Sequence, residues 1–225
     1  MFPYELDSSH NNAFDLAKDL EKVFMNKEYS DIVVKCGNIS FAAHKVILAS
    51  RSPVFKTLLK ANLEMKIKHA VYINDVNPEV MAEMLRFMYT GKAFNLDKIA
   101  MDLLIAAEKY QMKSLKEVCE KKFIRSINLD NYFSLLIMGH KNSSNVKKAV
   151  LKFVVKKRKS VDIDKRLLEY PSLMMELLKE FTGDGTDDYD EDDEEYIEEV
   201  EEEEEDEEID LRKLLREKLT GTLSF

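Results

Sequence analysis

The sequence predicts an α+β fold, in which a small sheet near the N-terminus is followed by a cluster of helices. Two short apolar stretches, Ile32–Val34 and Ile39–Phe41, flank the turn signal Gly37-Asn38 and are typical of a hairpin. Val71–Ile73 predicts a third strand. From Leu96 to Phe181 apolar residues recur at helical spacing, and the polar breaks between them are short enough to join antiparallel helices.

Capping signals mark the ends of two helices, one before and one after the third strand. Ser52-Pro53 and Asn77-Pro78 each place a capping residue before a proline, whose missing N–H is harmless at the first helical position. Gly91 marks the end of the second of these helices.

A further helix is predicted ahead of the hairpin. Its apolar stripe consists of Phe14, Ala17, Leu20, Val23 and Phe24. We expect this helix to end at Tyr29-Ser30-Asp31.

The charge of the chain is divided between two opposite parts. Residues 184–210 contain 20 acidic residues and no basic one, and residues 183–225 together carry a net charge of −17. Residues 1–182 carry +8. Because the acidic segment repels itself and has little apolar area to bury, we predict that the tail is disordered. Its last stripe, Leu211, Leu214, Leu215 and Leu219, predicts only a transient helix.

The sequence favours a reducing compartment. Two cysteines in 225 residues cannot form a disulfide framework. The first residues do not form a signal peptide, and no apolar run approaches the roughly 20 residues that span a bilayer. We therefore expect a soluble protein of the nucleus, the cytoplasm or both, with no membrane partner.

No motif predicts an enzyme, a cofactor or a metal site. The four histidines form no H-E-x-x-H pattern and the cysteines no C-x-x-C pair. Cys36 and His44 could form a nucleophilic pair, but Cys36 ends an apolar strand, where a buried hydrophobe is the commoner role. Thr90-Gly91-Lys92 lacks the first glycine and the final Ser/Thr of a P-loop.

Basic residues cluster on and after one C-terminal helix, at Lys147, Lys148, Lys152 and Lys156–Lys159. Three interpretations stay open: a nucleic-acid or nuclear-import surface, a solvated helix face, or a surface covered by the acidic tail. The lack of interleaved aromatic residues disfavours nucleic acid.

The order of these elements resembles a known family. After the first helix come Tyr29-Ser30-Asp31, the hairpin, FAAHKVILASRSPVFKTLL, the strand VYINDV and FMYTGKAFNLDKIAMDLLIAAEKYQM. This order resembles the BTB/POZ fold, and in particular the speckle-type POZ protein family, over about residues 16–181.

The resemblance implies a homodimeric interaction module without an active site. The positions that match the dimer interface of similar proteins, or lie near it, are Leu16, Leu20, Val23, Phe24, Asp31, His44 and Ile47. The family recruits cullin-3, so that a ubiquitin ligase assembles on the substrate that the adaptor holds.

A short motif in the loop before the third strand contacts cullin in similar proteins. It consists of an apolar residue, any residue and glutamate, and the matching positions here are Leu63-Glu64-Met65, so that methionine replaces the glutamate. The helices from Asn131 to Phe181 resemble the partial BACK region, including the 3-box, which extends the cullin contact.

The resemblance also predicts how the chain is divided. We expect a leader with the dimerisation helix in residues 1–28, the BTB/POZ domain in 29–127, a BACK-like region in 128–182 and the acidic tail in 183–225. The leader is too short for the substrate-binding MATH domain that family members usually carry.

Three functions follow as alternatives. The first is a cullin-3 adaptor whose substrate protein the sequence does not identify. The second is a scaffold that pairs with MATH-containing BTB relatives without delivering substrate. The third is a nuclear protein that meets chromatin.

Overall fold

The structure, a computed structural model, describes residues 11–64, 69–157 and 165–182. The chain divides into two compact units, Met1–Arg125 and Ser126–Phe225. The prediction for the acidic tail, the third residue of the predicted cullin motif (Met65) and the first ten residues lie outside the described residues. In the described part of the chain, no helix combines the length and the apolar character that a membrane crossing requires.

The first unit contains a three-stranded sheet with the order β2-β1-β3, built from β1 (Ile32–Cys36), β2 (Ile39–Ala43) and β3 (Ala70–Ile73). β1 and β2 are antiparallel, with Val34 opposite Phe41, which confirms the predicted hairpin. β3 lies parallel to β1, with Val71 beside Val34. A parallel pair needs a crossover connection, which the two helices between β2 and β3 provide.

The described residues of the first unit also form six helices: α1 (Asn11–Val23), α2 (Lys45–Arg51), α3 (Pro53–Glu64), α4 (Pro78–Thr90), α5 (Leu96–Lys109) and α6 (Lys113–Arg125). The predicted capping signals are confirmed. Ser52 Oγ accepts the Phe55 N–H at 3.2 Å, Asn77 Oδ1 accepts the Glu79 N–H at 2.9 Å, and Gly91 ends α4 with φ 73°.

The core of the first unit is centred on α4. Its residues are buried without a break from Val80 to Tyr89. α1, α2 and α5 all pack against it. Burial of a whole helix surface is expected for a central helix, but α4 also buries Glu83 and Arg86, which need specific partners.

α1 ends earlier than the sequence predicted. The helix stops at Val23 rather than at Tyr29-Ser30-Asp31. Met25 and Tyr29 then adopt positive φ angles of 63° and 61°. These are left-handed conformations that non-glycine residues seldom adopt, so the helical hydrogen bonds cannot continue through them.

The second unit is helical in its described residues, with α7 (Tyr132–Asn142), α8 (Ser144–Lys156), a 3₁₀ helix (Lys165–Glu169) and α9 (Pro171–Thr182). α7 and α8 approach closely at Gly139, where a Cβ atom would lie 2.5 Å from the Lys147 backbone nitrogen. α9 is joined to α8 by the ion pair between Lys147 and Glu176, at 2.8 Å.

Candidate partner-binding site

The predicted dimerisation helix, α1, packs against α4 of its own chain. The Phe24 ring, just after α1, lies 5.5 Å from the Tyr89 ring and 5.5 Å from the Arg86 guanidinium. Glu21 approaches Arg86 at 3.9 Å. Leu20 and Val23 are half-buried, whereas Leu16 is 60% exposed. α1 therefore has a docked side and a free apolar residue.

A buried charged pair lies next to this contact. Glu83 Oε1 accepts the Phe94 N–H at 2.5 Å, and Glu83 Oε2 lies 4.0 Å from Arg86 Nε. Neither Glu83 Oε2 nor Arg86 Nε has a hydrogen-bond partner among the described residues. Burial raises the pKa of the Glu83 carboxyl, although the Phe94 N–H and Arg86 act in the opposite direction. The Phe94 ring lies 5.2 Å from the Arg86 guanidinium, so that two aromatic rings, Phe24 and Phe94, contact this buried charge.

His44 has an architectural role. Its backbone N–H donates to Tyr89 Oη at 3.0 Å, and its Nδ1 lies 2.9 Å from the same oxygen. Burial raises the pKa of Tyr89 to about 12, so the hydroxyl keeps its proton and can donate it to Nδ1. Asp31 Oδ1 accepts the Lys45 N–H at 2.8 Å, which supplies α2 with the cap that the His44 side chain does not provide.

The structure does not bring Cys36 and His44 together. Cys36 pairs with Ile39 beside the turn of the hairpin, whereas Ala43, which precedes His44, pairs with Ile32 at the other end. These two ends of the hairpin are four residues apart along β1, which corresponds to a distance of roughly 13 Å. Cys36 is fully buried and donates to the Val76 carbonyl at 3.0 Å. Burial and the charge of Asp75 raise the pKa of its thiol, which opposes formation of the reactive thiolate.

The remaining predicted interface residue, Ile47, lies half-buried on α2. Because α1 and α2 both pack on α4, the structure places the predicted interface residues around one helix. Val46, which the sequence analysis did not single out, is 75% exposed next to Ile47. The sequence alone does not identify such a residue, because an apolar side chain on a helix can be recognised as exposed only once the buried side of that helix is known.

The predicted cullin-binding residues lie at the end of α3. Leu63 and Glu64 are its last two residues, so their backbone is helical, and the expectation of a loop at these two positions is wrong. Their side chains and the whole of Met65 lie outside the described residues. The preceding turn is tied to the sheet, because Asn62 Nδ2 donates to the Ala70 carbonyl at 2.7 Å.

Within the described residues, no group of three or more His, Cys, Asp or Glu side chains is arranged to hold a metal ion. The candidate site consists of packed helices, an architectural histidine and exposed apolar side chains, an arrangement suited to binding a protein surface.

Comparison with protein families supports this interpretation. The model of the BTB/POZ domain family matches residues 20–127. These residues form a BTB/POZ domain. Domains of this kind are protein-interaction modules, which associate with themselves or with other BTB proteins and often bind cullin-3.

Two solved structures with this fold are similar to the chain. The BTB domain of zebrafish PATZ1 is 23% identical and has a TM-score of 0.45, with 56% of this chain and all of that domain (100%) covered. The BTB domain of human gigaxonin is 23% identical with a TM-score of 0.44, covering 53% of this chain and 97% of that one.

Proposed function

We propose that the chain is a homodimeric, non-enzymatic adaptor of the speckle-type POZ family, which links a substrate protein to a cullin-3 ubiquitin ligase. The observation that carries the proposal is the BTB/POZ domain at residues 20–127. The candidate site supports it, because its histidine and cysteine serve packing and its exposed groups include Leu16 and Val46.

The cullin contact is expected to be weaker than in relatives that carry the whole motif. Leu63 retains the apolar anchor, but Met65 stands where similar proteins have glutamate. A hydrogen bond to a charged group contributes about 1.5–3 kcal/mol, so its loss weakens binding roughly ten- to hundred-fold. The methionine side chain can recover part of this by packing on apolar cullin surface.

Calorimetric titration of the full chain with cullin-3 tests the proposal. We expect measurable binding by the wild type, tighter binding by Met65→Glu and none by Leu63→Asp. Ile105→Asp and Ile124→Asp are matched controls, because both residues are exposed apolar side chains outside the predicted motif and the BACK-like region, and these variants should bind like the wild type.

Absence of cullin-3 binding by both the wild type and Met65→Glu would exclude the adaptor function. The methionine that this chain carries in place of the motif's glutamate would then favour the second candidate, a scaffold that pairs with MATH-containing BTB relatives and does not recruit the ligase. Co-purification of the chain with such relatives, without cullin-3, is the result expected from that scaffold.

A further inference from the structure

Helix α8 carries a row of positive charge, the lysine stripe, which consists of Lys148, Lys152 and Lys156. Successive members are four residues apart, so each is turned about 40° from the last and all three share one side of the helix. All three are exposed. Across the described residues, no ion pair or hydrogen bond engages their ammonium groups.

The stripe lies opposite the side by which α8 is packed. The buried residues of the helix are Val146, Val150, Leu151 and Val154. Lys147 lies on the packed side and is already neutralised by Glu176 at 2.8 Å. The Glu176 carboxylate is therefore paired with Lys147 and does not neutralise the positive charge of the lysine stripe.

The stripe has no compensation within its own helix either. Residues 144–156 contain no Asp or Glu. Two like charges four residues apart destabilise a helix by about 0.2–0.5 kcal/mol per pair, and the stripe contains two such pairs. An anionic segment laid along this side would remove the repulsion and gain attraction from all three lysines.

The chain itself supplies such a segment. Residues 184–210 carry 20 acidic residues and no basic one, and they begin two positions after α9 ends at Thr182. The ion pair of Lys147 with Glu176 holds α9 beside α8, so the acidic segment starts from a neighbouring helix of the same unit. We propose that the lysine stripe is the docking site of residues 184–210 of the same chain.

Length and concentration support this occupant. The 13 residues of α8 extend over about 20 Å, whereas the 27 residues of the acidic segment can span roughly 90 Å. A tethered segment is present at an effective concentration in the mM range, which an external polyanion in solution seldom reaches. Phe153, the one aromatic residue of α8, is half-buried, so the stripe lacks the stacking surface that single-stranded nucleic acid uses.

Paramagnetic broadening in the full-length chain tests the proposal. Ser144 is exposed and lies one turn before Lys148 in the same row, so a nitroxide on Ser144→Cys marks the stripe. The native cysteines are buried in the folded chain. We expect broadening of the amide signals of Tyr189, Tyr196 and Ile197 at low salt. Recovery is expected at about 0.5 M salt, where the Debye length falls to about 4 Å.

Charge-matched variants assign the effect to the stripe. Lys148→Gln, Lys152→Gln and Lys156→Gln, combined in the labelled background, should restore the tail signals. The control combines Lys56→Gln, Lys60→Gln and Lys113→Gln, which removes the same charge from exposed positions of the first unit and should leave the broadening unchanged. Glutamine is a good helix former, and circular dichroism checks that each variant keeps its helices.

Three outcomes would overturn the proposal. Sharp tail signals in the labelled wild type, or broadening that persists in the stripe variant, would show that the segment does not dock there. Broadening of an unlabelled, ¹⁵N-enriched chain by a spin-labelled neighbour would assign the stripe to a second copy. Stripe-dependent binding of a DNA duplex, with sharp tail signals, would make the stripe a nucleic-acid site.

Discussion

Ser52 connects two helices through one hydroxyl group. Its Oγ donates to the Tyr110 carbonyl at 2.6 Å, after α5, and accepts the Phe55 N–H at 3.2 Å, in α3. The side chain is fully buried, so water cannot replace either bond. One side chain thus caps α3 and fixes its position against the end of α5.

Ser52→Ala should lower the free energy of unfolding by about 1–3 kcal/mol, because it removes a cap and leaves a buried carbonyl without a donor. Urea titration followed by circular dichroism measures this change. Ser50→Ala is the control, since Ser50 is exposed and its Oγ donates to Ile47 within its own helix. That variant should change the same quantity by less than about 0.5 kcal/mol, and equal losses in both would contradict the proposed role.

The residues that sequence analysis placed correctly act on their own neighbours. Asn77 caps the helix that starts at the next residue, and that signal is contained in four positions of sequence. Asp31, by contrast, caps a helix 14 residues away. The burial of Glu83 depends on the backbone of Phe94, which no local pattern reveals.

At the scale of elements, α7 and α8 can touch because Gly139 has no side chain. A Cβ at this position would approach the Lys147 nitrogen at 2.5 Å and the Lys147 Cα at 2.8 Å. Both are backbone atoms, which cannot move without shifting α8. Sequence analysis gave Gly139 no role, because close approach depends on which helix lies opposite.

Gly139→Ala should therefore destabilise the second unit by about 1–3 kcal/mol, the usual cost of overpacking. Its neighbour His140 is exposed on the same helix, so His140→Ala is the matched control and should be nearly neutral. Hydrogen exchange of the α7 and α8 amides, measured at increasing urea concentrations, compares the stability of the second unit in the two variants. Equal exchange rates in the wild type and Gly139→Ala would show that the helices separate at no cost.

The existence of the elements was predictable where their periods are strong, and so were the ends that a capping residue or a glycine marks. The end of α1 and the partners of the strands were not all predictable. The hairpin followed from Gly37-Asn38 between apolar runs, and the structure confirms it. The sequence predicted the end of α1 several residues too late. Met25 and Tyr29 adopt left-handed conformations, which residues of these types seldom adopt and which the sequence therefore does not indicate. The parallel pairing of β3 with β1 joins positions 37 residues apart along the chain, such as Val34 and Val71.

At the scale of the whole molecule, the proposed dimer should depend on apolar side chains from two helices. Changing Leu16, Leu20 and Ile47 to glutamate should halve the mass measured by light scattering, because three charges would be buried unpaired at the interface. Ile105, Ile124 and Leu129 are exposed apolar residues outside it, and their triple glutamate variant is the control. A dimer that survives the first triple would refute the assignment of the interface.

Both thiols of the protein belong to the first unit, and each is sealed inside it. Cys36 and Cys119 are 0% exposed, and burial with the adjacent Glu120 raises the pKa of Cys119 to about 12. Since alkylating reagents attack thiolates, modification must wait until the surrounding structure opens. The rate of alkylation in the intact protein therefore reports the rate at which the first unit opens. Because the chain has no other cysteine, alkylation does not report the opening of α7, α8 or α9.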